Sequence, residues 1–145
     1  MAKNKIKMEE KCKKLPPKDL KVSVGVVGSG TFATAIVKML LENSKVVHWC
    51  VRNEFVKGAI ELRGHNPSYL TAVHFNTKNL AVTTDINELV SACDVIVLAT
   101  PSIYLEASMA NLTCDVSNKI FVSAIKGIVP KVNDVVATYL KQEFN

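Results

Sequence analysis

The sequence predicts an α/β fold, doubly wound, with a mostly parallel sheet covered by helices on both faces, and three observations predict it. From Val22 onward short β-branched runs alternate with longer amphipathic stretches, the pattern of successive strand–helix–strand units. The first run, residues 22–27, is apolar nearly throughout, as a strand buried on both faces must be. Between it and the next such run lie roughly 18 residues, enough for a right-handed helical crossover and far more than a hairpin needs. With 145 residues, 48% of them apolar, the chain can bury one good core, so a single domain is expected.

Each element then follows in order. After the first strand a helix is expected from about Thr31, because Phe32, Ile36, Val37, Leu40 and Leu41 share one side at helical spacing, with Asn43 as its stop. Residues 45–51 form the second strand. Asn53 can cap the next helix, whose Phe55, Val56, Ala59, Ile60 and Leu62 precede the stop Gly64. Residues 65–79, with Asn66, Pro67, Asn76 and Asn79 and no periodicity, are a loop, and a loop this long in a compact domain points to function. Residues 80–82 are a short strand, and Asp85 with Glu88 three positions on has the form of a capping box opening a short helix. Residues 94–99 are a buried strand ended by Pro101, with Ser102 able to cap the helix beyond. Residues 119–125 supply the fifth strand, and residues 132–140 begin a closing helix.

Composition narrows the function classes. The net charge of +5 resides wholly in residues 1–21, where eight lysines face Glu9, Glu10 and Asp19; residues 22–145 balance ten basic with ten acidic side chains. That leader, with Pro16, Pro17 and few apolar residues, reads as a solvated, flexible tail rather than a nucleic-acid-binding segment. The apolar runs are too short for a membrane span. Cys12, Cys50, Cys93 and Cys114 lack CxxC or zinc spacing, and no secretory signal precedes them, so reduced thiols and a cytoplasmic location are expected. Cys50 and Cys93 read as small buried hydrophobes.

The strongest local signal is Gly28-Ser29-Gly30-Thr31-Phe32-Ala33, a GxGxxA run between strand and helix. Gly28 permits the tight turn, Gly30 lets a pyrophosphate approach the backbone, and Ala33 allows close helix packing. The helix start then offers free N–H groups and a positive dipole end to phosphate. The pattern is that of a Rossmann-type dinucleotide-binding domain occupying residues 22–145, with NAD or NADP as cofactor. A Walker A motif is absent. At the end of the second strand, where a carboxylate would hold the adenosine ribose of NAD, stand Arg52 and Asn53; the guanidinium suits a 2′-phosphate or the adenine face, while nearby Glu54 keeps NAD open. Lys126 follows the fifth strand, at the sheet edge where ligands collect, as a point charge for a phosphate. His48 falls within a strand, and His65 and His74 lack metal-ligand spacing.

The segments VGVVGSGTFATA, WCVRN, NPSYL, ACDVIVLATPS and SAIKGI occur in this order across residues 22–145, and together they resemble the N-terminal domain of NAD(P)-dependent glycerol-3-phosphate dehydrogenases. The resemblance implies cofactor contacts from Gly28, Ser29, Gly30, Thr31, Phe32, Arg52, Tyr69 and Lys126, the lysine also lying near a phosphate-ester substrate. Phe32 stands where relatives often have tryptophan, and Ala33 where many have a third glycine. It further implies that the catalytic lysine and most substrate contacts belong to a C-terminal helical domain absent here, so that this chain binds cofactor with little turnover of its own. It leaves room for a homodimer of the longer enzyme. A related reductase of the β-hydroxyacid, ketopantoate or pyrroline-carboxylate type, or a non-catalytic NAD(P)-sensing module, would share the glycine turn.

Overall fold

The computed structural model describes residues 22–43 and 46–144; the basic leader, Cys12 and Lys45 lie outside them. Five parallel strands form one sheet: β1 (Val24–Val27), β2 (Val47–Cys50), β3 (Leu80–Thr83), β4 (Val95–Leu98) and β5 (Ile120–Ser123), in the order β3-β2-β1-β4-β5. The register runs straight across, with Val24 beside both Val47 and Val95. The order reverses at β1. The chain first winds outward to β3 and then returns to build β4 and β5 on the other side, which opens a crevice at the carboxyl ends of β1 and β4.

The expected helices cover both faces. On one, α1 (Thr31–Asn43) and α2 (Glu54–Arg63) bury Ala33, Val37, Val56 and Ile60 against Val26, Val47 and Trp49. On the other, α3 (Ile86–Ala92), α4 (Ser102–Met109) and α5 (Val136–Phe144) bury Leu89, Val90, Leu105, Met109 and Tyr139 against Val27, Ile96 and Leu98. Alternate side chains of each strand supply the two cores, as a pleated sheet with helices on both faces requires. Gly25, in the middle of β1, faces α3 closely: a Cβ there would lie 2.8 Å from Leu89 Cδ2 and 2.9 Å from Cys93 Sγ. On the α1 and α2 face β5 is uncovered, leaving Ile120 and Val122 exposed.

Local chemistry sets the element ends. Asn53 caps α2, its side chain accepting from Val56 N at 3.0 Å, and Gly64 ends it in the left-handed region with its N–H donating to Ile60 O. Four expectations are corrected. The box at α3 closes through a threonine: Asp85 accepts from Asn87 N, while Glu88 accepts the Thr83 hydroxyl proton and Thr83 Oγ1 in turn accepts from Asp85 N. Ser102 is already the first residue of α4. Pro101 takes the cap position with no side-chain acceptor, and the first turn is tied by Tyr104 N donating to Pro101 O. The closing helix starts at Val136 rather than near 132, because Asn133 adopts φ 50° and Val129 N bonds Asp134 O, closing a loop; Asp134 then accepts from Val135 N and Thr138 Oγ1. The fifth strand is likewise shorter than 119–125. The 65–79 loop holds one 3-10 turn, Thr77–Asn79, and its Phe75 packs edge-on against Trp49.

Candidate functional site: the glycine turn and its crevice

The end of β1 turns sharply into α1. Gly28 has φ 124°, and a Cβ on it would sit 2.6 Å from the carbonyl oxygen of Ala99, so only glycine fits. Gly30 differs: apart from its two chain neighbours, no other residue comes within 4 Å of where its Cβ would be. Packing does not require glycine there; the space it leaves belongs to the crevice. Ala33 is fully buried, which brings α1 down onto β2.

The crevice encloses about 910 Å³. Of the residues singled out from sequence, Gly28, Ser29, Gly30, Arg52 and Tyr69 line it. Thr31 and Phe32 are exposed on the first turn of α1 outside that lining, and Lys126 is exposed in the loop after β5, also outside it. The far wall went unread in the sequence. It comes from Thr84, Asp85, Ile86 and Asn87 at the start of α3, and from Thr100, Pro101, Tyr104, Ser108 and Asn111 along α4. Only the strand order, which sets the ends of β3 and β4 on either side of the central turn, brings these segments together.

The polar chemistry varies along this wall. Arg52 is exposed at the outer end of β2. Glu54, expected to compete there, does not line the crevice; its carboxylate accepts from Thr84 Oγ1 and lies 3.8 Å from Lys57. The acid that does line it is Asp85. Burial pushes the Cys50 thiol up to about 11, helped by the negative charges of Asp85 and Glu88, so the sulfur at the crevice floor is a neutral thiol at physiological pH. Thr100 Oγ1 is buried without a hydrogen-bond partner. His65 and His74 stack edge-to-face at 5.6 Å, and no group of three metal-ligating side chains occurs among the described residues. A tight turn, open space at Gly30 and a helix start suit an extended phosphate-bearing ligand.

The family model described as NAD-dependent glycerol-3-phosphate dehydrogenase N-terminus matches residues 23–145. The chain belongs to this family. Among curated relatives, the glycerol-3-phosphate dehydrogenase [NAD(P)+] of Pseudomonas fluorescens is 30% identical over 119 residues, which is 82% of this chain and 35% of that protein. The enzyme of the same name from Pseudomonas savastanoi pv. phaseolicola is 35% identical over 105 residues, 72% of this chain and 30% of that protein. Among solved structures, Plasmodium falciparum glycerol-3-phosphate dehydrogenase superposes with a TM-score of 0.72 at 25% identity, covering 86% of this chain and 38% of that one. The chain therefore spans about a third of the length of the curated relatives it matches. What it shares with the glycerol-3-phosphate dehydrogenases is the domain built around the glycine turn.

Proposed function

We propose that the crevice binds NAD or NADP, and that the chain is the cofactor-binding part of an oxidoreductase interconverting sn-glycerol 3-phosphate and dihydroxyacetone phosphate. The observation that carries this reading is the glycine turn at the reversal of strand order, with Gly30 open on the crevice. The N–H groups of the turn and the start of α1 receive the pyrophosphate. Arg52, at the end of β2, meets the adenosine end by pairing with a 2′-phosphate or covering the adenine. Tyr69, which also lines the crevice, and Thr31 and Phe32 on the first turn of α1 are taken as further cofactor contacts. Lys126, at the carboxyl end of β5, supplies positive charge toward the substrate phosphate in the longer enzyme. Bound nicotinamide supplies the hydride chemistry; the proton and most of the carbonyl's positioning come from residues beyond this chain. The unpaired thiols Cys50, Cys93 and Cys114 suit a reducing, cytoplasmic setting.

Titration of the purified chain with NADH and NADPH tests this. Saturable binding is expected, with no measurable turnover of dihydroxyacetone phosphate; absent binding of both cofactors, or steady-state activity from residues 1–145 alone, overturns it. Arg52→Ala should weaken NADPH by about tenfold, the worth of one charge-assisted bond, and NADH by less.

A further inference from the structure

Three consecutive carbonyls of the turn are each held by a buried side chain. Trp49 Nε1 donates to Gly28 O at 2.6 Å, Asn66 Nδ2 to Ser29 O at 3.0 Å, and Thr34 Oγ1 to Gly30 O at 2.8 Å. Trp49, Asn66 and Thr34 are all fully buried. In a trans peptide the C=O and the following N–H point in opposite directions, and no cis bond occurs here. Tying the carbonyls of Gly28 and Ser29 toward the core therefore turns the N–H groups of Ser29 and Gly30 away from it. Both residues line the crevice, and among the described residues neither N–H donates to a protein acceptor.

We infer that Trp49 and Asn66 are positioning residues that hold the turn with its amides aimed at the pyrophosphate before any cofactor arrives. Resting on the cofactor reading above, this says how the site is made ready. Asn66 has a second reach. Its Nδ2 also donates to Thr34 Oγ1, at 2.9 Å, while its Oδ1 accepts from Ser68 N and Tyr69 N at 3.0 and 3.2 Å. One buried amide thus fixes the glycine turn and the loop bearing Tyr69 relative to each other. Trp49 is held in turn by Phe75 from the same loop. Preorganised donors of this kind need no rearrangement when charge arrives.

The test compares a ligand that has the pyrophosphate with one that lacks it. In the 145-residue chain, Trp49→Phe keeps an aromatic ring beside Phe75 but has no N–H, and Asn66→Asp keeps both acceptor bonds to the loop but loses the donors. Each should weaken NADH by about tenfold, the loss that follows from one hydrogen bond, while adenosine affinity, followed by NMR of the same samples, stays within about twofold. Undiminished NADH binding, or equal loss of adenosine, overturns the inference. Should a variant fail to fold, the unaltered chain still decides. Its single tryptophan should give one indole N–H resonance protected from exchange with water, and the Ser29 and Gly30 amides should shift on adding NADH. Freely exchanging indole or unmoved amides count against the clamp, whereas no NADH binding by the unaltered chain overturns the cofactor reading and the clamp with it.

Discussion

Gly28 and Gly30 belong to one motif yet answer to different constraints. Gly28 is demanded by the protein, through its φ of 124° and the Ala99 carbonyl 2.6 Å from any added Cβ. Gly28→Ala should lower stability by about 1–3 kcal/mol, read as a shift in the denaturant midpoint. Gly30 has open space instead, so Gly30→Leu should abolish NADH binding while leaving the melting temperature nearly unchanged. A large drop in stability would mean that the space above Gly30 is not ligand space. The sequence already separates the two roles, turn and pyrophosphate approach, and Arg52 is legible from its place at the end of a strand, whereas Ser29 and Tyr69 are reached only through the family resemblance. Asn66 escaped both routes. Its four partners are 2 to 37 residues distant, and nothing in the 65–79 loop announces which of Asn66, Asn76 and Asn79 is buried. Asp85, Asn87 and Asn111 escaped for a related reason, since they share a wall only after the strands are ordered.

At the level of elements, strand and helix types follow from hydrophobic periodicity, whereas their ends depend on individual hydrogen bonds. Asn53 was legible as a cap because it directly precedes an amphipathic run, and Asn53→Ala should cost about 1 kcal/mol in the unfolding free energy. The start of α5 was illegible. Val132 and Val135 continue the apolar pattern, but the bridge between Val129 and Asp134 diverts the backbone first. A long-range tie joins the starts of β1 and β4, where Asp94 accepts from Ser23 N at 3.0 Å and Ser23 Oγ at 2.8 Å. These bonds hold the Asp94 carboxyl below the ordinary carboxylate range, the backbone N–H foremost and the hydroxyl next, with Lys119 adding a smaller effect in the same direction. Because the folded value is lowered, the contribution is complete above the unfolded carboxyl's range and is lost as pH falls through the folded value. NMR titration should show Ser23→Ala moving the Asp94 titration part of the way back up; an unchanged titration would mean that the hydroxyl contributes nothing.

Across the whole molecule, the two cores on opposite faces of the sheet contain nearly all the large buried side chains, and composition with alternation was enough to foresee both. Cys50 and Cys93 sit in one of them, each pushed up to about 11, by burial foremost. Both thiols should resist iodoacetamide at pH 7.5 until denaturant is added, as peptide mass spectrometry can follow; rapid folded-state labelling of Cys50 would contradict its buried placement. The sign on the alkaline side follows. These thiols favour the folded state fully below the unfolded thiol value near 9, and the advantage fades as pH climbs toward 11. The absent side chain at Gly25 matters at this same scale. It lets α3 settle onto the middle of the sheet, and the first turn of α3, with Asp85, Ile86 and Asn87, is one wall of the crevice. A single methyl group placed at Gly25, in the middle of β1 and outside the crevice lining, would meet Leu89 and Cys93, and these side chains or the helix that carries them would have to shift. The helix that begins the far wall of the crevice is thus seated by a contact inside the core that no ligand touches.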